Sequence, residues 1–387
     1  MSEKENKELN EVKTEKKERG SGARRHILAL LTTVLIIVLA VLIFLYRDVL
    51  SPSRIINAIE RKKALTEDSF SFETGIDAMF SPVGNGLAVV SSSGFKLIDA
   101  DGKTVSKEII PLSRPSIQSS PREAAFFDIG GKTLRIARLD GEVIDFDRGS
   151  EIISVSMNNS SYLSVITGEP SYKGQVTVFD AELSPIYKWY SGVNYPINSE
   201  VSPDNTRLAV LTLGKEGGAV TVFSFDNEEP LASFSSPGEL FIDLKYINKT
   251  TLCLISETRL LFLDESLSIK ASFDFSTEHL GQYSLDSDGC VFLYLRRYQT
   301  GDIGRIICIG QEGEILSEIE SDKQVLSMQS NSIGALVHFA DELVLYNTTL
   351  SVIGANSEKI KGIGSVVLRP KGDALLISAF YAEVLKF

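Results

Sequence analysis

Histidine and tryptophan are nearly missing from this chain, with three His and one Trp in 387 residues. His26 flanks a long apolar run, which leaves only His279 and His338 elsewhere. That is too few for an imidazole metal centre or a histidine-driven acid–base pair. Cysteine is equally sparse. Cys253, Cys290 and Cys308 are odd in number and each stands in an apolar stretch. They predict buried free thiols, not a disulfide framework or a redox motif. The 12 Pro and 29 Gly fall far short of a collagenous or low-complexity chain, and 43% hydrophobic residues exclude disorder over most of the length. Long apolar runs are absent too, with one exception.

The exception is residues 27–46, twenty residues without a charge. This is long enough to cross a hydrocarbon core of about 30 Å as one helix. A cleaved signal peptide would have a shorter apolar stretch, followed by small residues. Here Arg47 and Asp48 follow directly, so an uncleaved anchor is expected. Six Lys/Arg lie in the 15 residues before the run and three in the 15 after it. The positive-inside bias therefore predicts a cytoplasmic N-terminus and an extracytoplasmic C-terminal part. Residues 1–26 interleave Lys and Glu and read as a charged cytoplasmic tail. Residues 47–68 read as a juxtamembrane stalk, with Ser51-Pro52 suited to a helix start and Ile55, Ile56 and Ile59 on one face.

From Phe70 onward the helical period gives way to short Val/Ile/Leu/Phe runs split by Gly, Pro, Asn, Asp and Ser. The runs repeat about every 40 residues, the spacing of propeller blades. One marker is a turn between a first and a second strand. It is clear at Ser81-Pro82-Val83-Gly84, Ser120-Pro121, Ser202-Pro203-Asp204-Asn205 and Arg369-Pro370-Lys371-Gly372. Weaker copies stand at Asn158, Asn248, Asp286-Ser287-Asp288-Gly289 and Ser330-Asn331. A second marker is a polar turn between a third and a fourth strand, as at Asp99-Ala100-Asp101-Gly102, Asp180-Ala181-Glu182 and Asp264-Glu265-Ser266. It occurs seven times, so the last unit lacks its fourth strand. Residues 69–73 alternate Phe and polar residues and can supply it. The expectation is an all-β propeller over residues 69–387 with eight four-stranded blades. Both chain ends share one blade, which leaves no open edge. Seven blades are the alternative. The innermost strands are expected to be the most apolar.

These turns and apolar strands resemble the WD-repeat-like and quinoprotein-like propeller superfamily over residues 70–387. The single Trp189 and the lack of any Trp-Asp pair depart from true WD repeats. No unit carries the Thr-Gly-Lys turn and following Trp of quinone-cofactor propellers. The layout of tail, anchor and propeller resembles a bacterial family of single-pass membrane-anchored β-propellers, a resemblance that brings no activity with it.

Motifs for chemistry fail one by one. Gly130-Gly131-Lys132-Thr133 lacks the upstream Gly of a phosphate loop, where Phe126 stands, and is followed by a strand pattern. Asp99-x-Asp101-Gly102 and Asp286-x-Asp288-Gly289 lack the further ligands of a calcium loop and sit at repeated turn positions. There is no Gly-x-Ser-x-Gly elbow. No enzyme activity, cofactor or metal is expected.

The chain carries a net −12; the tail contributes +2 and the stalk +1, which leaves −15 on residues 69–387. An acidic domain gains nothing from nucleic-acid counterion release. The long loops between second and third strands of units three, four and six offer a candidate binding face: Tyr172, Trp189, Tyr190, Tyr195, Arg296, Arg297 and Tyr298. Tyr, Trp and Arg dominate binding hot spots. Two functions fit. One is a membrane-tethered extracytoplasmic binding or scaffold module for a protein or glycan. The other is a cell-envelope enzyme or sensor using the central channel. Polar innermost strands favour the second and apolar ones the first.

Overall fold

The computed structural model describes residues 69–72, 77–146, 149–379 and 381–387. The charged tail, the apolar run 27–46 and the stalk lie outside the described residues. Among the described residues no helix is long and apolar enough to cross a membrane.

Thirty-two strands, among the described residues, form eight four-stranded antiparallel sheets. Seven sheets use four consecutive strands. The eighth joins Ser69–Ser71 to the chain's last three strands, with Ser69 opposite Glu383 and Ser71 opposite Tyr381. Both ends therefore close one blade, and the count is eight. Eight apolar clusters each combine side chains of two successive blades, and the set closes on itself. The closing cluster packs Phe72, Val367, Leu375 and Ile377 of the last blade on Leu87, Val89 and Ile98 of the first.

The first strand of each blade is innermost. Residues from all eight of these strands, or from the turns that follow them, line one central cavity. These strands are not the most apolar, contrary to expectation. Pro115–Ser119, Tyr195–Val201 and Phe241–Tyr246 carry Gln118, Asn198, Glu200, Asp243 and Lys245. The second strands are the apolar ones; Gly86–Ser91, Leu252–Ser256 and Gly334–Phe339 are buried at every position. A second strand has sheet on both edges and a blade on both faces. An innermost strand leaves one edge on the channel, where its peptide groups need polar partners. Side chains supply some of them. Gln329 donates to the Val366 carbonyl and accepts from the Leu368 amide, both at 2.8 Å, so one carboxamide stitches blade seven to blade eight. Ser81 and Ser119 meet at 2.6 Å between blades one and two.

The repeated polar turn has one geometry in several blades. Asp99 Oδ1 accepts from the Asp101 and Lys103 amides at 3.0 and 2.9 Å. Asp180, Asp264 and Asn347 do the same in blades three, five and seven. Three residues on, the backbone is left-handed. Gly102, Gly141 and Gly313 take that position in blades one, two and six, whereas Leu183, Leu267 and Leu350 take it in blades three, five and seven. Left-handed geometry costs a non-glycine residue roughly 1–2 kcal/mol. Leu267 and Leu350 offset it by burying their side chains in the joints between blades.

The expected long loop of unit four is absent. Arg207–Gly214 and Gly217–Ser224 pair along their whole length and meet in a two-residue turn, Lys215-Glu216. The turn depends on Gly217, whose φ is +127° and where a Cβ would lie 2.8 Å from the Glu239 carbonyl oxygen. Strand pairing satisfies the backbone that a loop would leave to solvent. Gly130-Gly131-Lys132-Thr133 forms the turn between Glu123–Asp128 and Leu134–Arg138, as its sequence implies.

Candidate functional site

The up-and-down order gives the ring two unlike ends. Turns after first and third strands share one end, where the Leu139 amide bonds the Arg122 carbonyl. Loops after second strands and the links between blades share the other, where Gly168 bonds Glu151 and Gly238 bonds Glu216.

The predicted binding residues fall at the second end, in two groups. In blades three and four, Tyr172 lies in the loop after Leu163–Thr167, and Tyr190 is the penultimate residue of the outer strand Pro185–Ser191. Their rings stand 4.9 Å apart, and both are exposed. Lys173 donates to the Tyr195 hydroxyl at 3.3 Å and sits 4.9 Å over that ring. Trp189 and Tyr190 belong to a strand and not to the link between blades, which is residues 192–194. Trp189 is half-buried and packs on Phe223 at 5.0 Å in the joint between blades three and four. In blade six, Arg296 donates to the Gln299 carbonyl at 3.1 Å, Arg297 pairs with Glu320 at 3.2 Å, and Tyr298 is exposed. Blade five stands between the two groups.

Sequence reasoning missed several neighbours. Val193, 83% exposed, and Leu213 and Leu240 extend the tyrosine group at the same end. Tight turns gave them no composition signal.

It also missed a charged wall in the channel. Lys245 Nζ lies 3.0 Å from Glu200 Oε1 and 3.5 Å from Asp286 Oδ1. Below this, Asp243 accepts from Asn198 at 2.8 Å and from the Tyr283 hydroxyl at 3.3 Å. The two layers join blades four, five and six. Burial holds the Glu200 carboxyl above the ordinary carboxylate value, even with Lys245 beside it. Burial raises Asp243 in the same way, against the Leu244 amide and Lys245, which lower it. Glu200 and its neighbours raise Lys245 and keep it charged. Asp243 and Lys245 are two residues apart and so share one side of their strand. The sequence alone does not show that the preceding blade brings Glu200 and Asn198 to meet them.

His338 is buried, and burial lowers its pKa, which favours the neutral ring. Cys253, Cys290 and Cys308 are free and buried.

The family model for a family of unknown function, DUF5711, matches residues 61–349. The chain belongs to that family. Comparison with curated proteins returns no match. Among solved structures, the C-terminal WD40 domain of Sif2 is similar with a TM-score of 0.59 and 14% identity, covering 83% of this chain and 97% of that one. Sqt1 from Saccharomyces cerevisiae matches with a TM-score of 0.59 and 10% identity over 84% and 100% of the two chains. BamB from Moraxella catarrhalis matches with a TM-score of 0.54 and 14% identity over 82% and 98%. At such identities the likeness is one of fold. The fold that this DUF5711 member shares with them is the β-propeller.

Proposed function

We propose that this DUF5711 protein is a single-pass, membrane-anchored binding or scaffold module of the bacterial envelope. Its propeller stands outside the cytoplasm and recognises a protein or glycan through the end that carries the loops after second strands. It performs no catalysis. The observation that carries the reading is the exposed cluster of Tyr172, Tyr190 and Tyr195 with Lys173, flanked by Val193 and Leu240. Rigid aromatics with apolar neighbours and a cation are the composition of binding hot spots. Exchanging Tyr172, Tyr190 and Tyr195 together for Ala is expected to abolish crosslinks formed from this face in intact cells. Substitutions at exposed sites cost within about 0.5 kcal/mol each, so the unfolding midpoint should barely move. A large fall in stability would reassign the tyrosines to packing, and unchanged crosslinks would place recognition elsewhere.

The anchoring rests on the apolar run 27–46 and the basic residues before it. Protease added to cells stripped of their wall should digest or release the propeller and spare residues 1–26. A protected propeller would reverse the topology.

The charged layers on the innermost strands favour a second reading, a sensor that uses the central channel.

A further inference from the structure

We infer that the first-turn mouth of the channel is a receptor site for an alkylammonium or guanidinium group. A basic peptide side chain or a free polyamine would present it. This site lies at the opposite end of the ring from the tyrosine cluster and does not rest on that reading.

The mouth opens into a cavity of about 840 Å³. That is the size of small-ligand sites. Its charged lining residues are Glu200, Lys245, Asp286 and Asp288, three negative and one positive, all from blades four to six. The lining from the other five blades is uncharged and includes Gln118, Asn158 and Gln329 beside Phe80 and Leu368. A ligand filling this space meets anionic groups on one side, and carboxamides and apolar surface on the other. That suits a cationic head on an aliphatic or peptide stem.

The one cation in the lining does not saturate the wall. Lys245 is already held by Glu200 Oε1 and Asp286 Oδ1. Tyr246, in the same lining, is only 9% exposed, and its hydroxyl is buried with no hydrogen-bond partner among the described residues. A hydroxyl withdrawn from water with no partner favours an added polar group, such as a ligand N–H that donates to its oxygen. The Asp286 side chain stays 65% exposed and open to a ligand. Anionic ligands would meet a net −2 wall on a −15 domain, whereas cations are steered toward it. A hard divalent cation suits the site poorly, because Lys245 Nζ occupies the space between Glu200 and Asp286. Among the described residues no group of three His, Cys, Asp or Glu is arranged to hold a metal.

The test is calorimetric titration of the full chain in detergent with spermine, tetralysine, tetraglutamate and calcium. Saturable binding of spermine or tetralysine is expected, and none of tetraglutamate. Glu200→Gln with Asp286→Asn should weaken it about tenfold or more, the worth of one charge-assisted contact. Glu228→Gln with Glu229→Gln removes the same charge from an exposed outer turn and should leave affinity within about twofold. Asp286→Asn alone concerns an exposed turn residue and must still weaken binding if Glu200→Gln disturbs folding. Saturation by tetralysine alone identifies a basic peptide, and by spermine alone a polyamine. The inference is overturned if neither saturates, if both double variants weaken binding equally, or if only calcium binds through these residues.

Discussion

Removal of residues 69–74 is expected to abolish cooperative unfolding of the ring. The strand Ser69–Ser71 pairs with Tyr381–Leu385, and without it that strand becomes an open edge. The deletion also withdraws Phe72, which is 2% exposed and fills the joint between the last and first blades, 5.6 Å from the Phe80 ring. Phe72→Ala alone should cost about 3–5 kcal/mol, a large part of the roughly 5–15 kcal/mol that stabilises a domain. The full deletion should do more. Each other joint is closed within continuous chain, but this one holds the two ends together. Urea unfolding followed by circular dichroism should show a broadened or concentration-dependent transition for the deletion. For Phe72→Ala it should show a single transition at a lower midpoint. A deleted chain that unfolds like the parent would mean that the mixed blade does not carry the closure.

The reasons some features were legible in the sequence and others not are physical. Blade number could be read because four of the third-to-fourth turns reuse one side-chain bond, in which Asp99, Asp180, Asp264 or Asn347 accepts from its own turn amides. Such a bond is local, so composition records it. Not every copy keeps the Gly: Leu183, Leu267 and Leu350 stand in its place, because packing between blades tolerates a side chain there. Packing is not local, and a single sequence hides it. The same limit explains the innermost strands. Their polar residues answer partners in the next blade about 40 residues away, as Asn198 answers Asp243 and Gln329 answers Val366. The tyrosines of the candidate face were legible by residue type. Their split into a blade three–four group and a blade six group was not, because it depends on where each blade falls around the ring.

The charged layer of the channel makes the second large prediction. Lys245→Met keeps the length of the side chain and removes its charge, which leaves Glu200 buried with no counter-ion. Breaking one partner of a buried pair typically costs about 3–5 kcal/mol. A loss near the lower end is expected at pH 7, because Lys245 itself keeps a third of its side-chain surface open. The pH dependence has a definite sign. Burial already holds the Glu200 carboxyl above its ordinary value of 4.5, and removing Lys245 takes away the largest effect opposing that rise. A carboxyl raised in the folded state leaves stability intact below the unfolded value and reduces it as pH climbs through the folded one. Lys245→Met should therefore approach parental stability in acid and fall behind progressively above pH 4.5. Adding Glu200→Gln removes the buried charge and should recover most of the loss at pH 7, flattening the difference. Denaturant midpoints at several pH values for the parent, the single and the double variant decide the matter. If the single variant's deficit does not change with pH, or the double variant is no more stable than the single, Lys245 stabilises the ring by packing and not by neutralising Glu200.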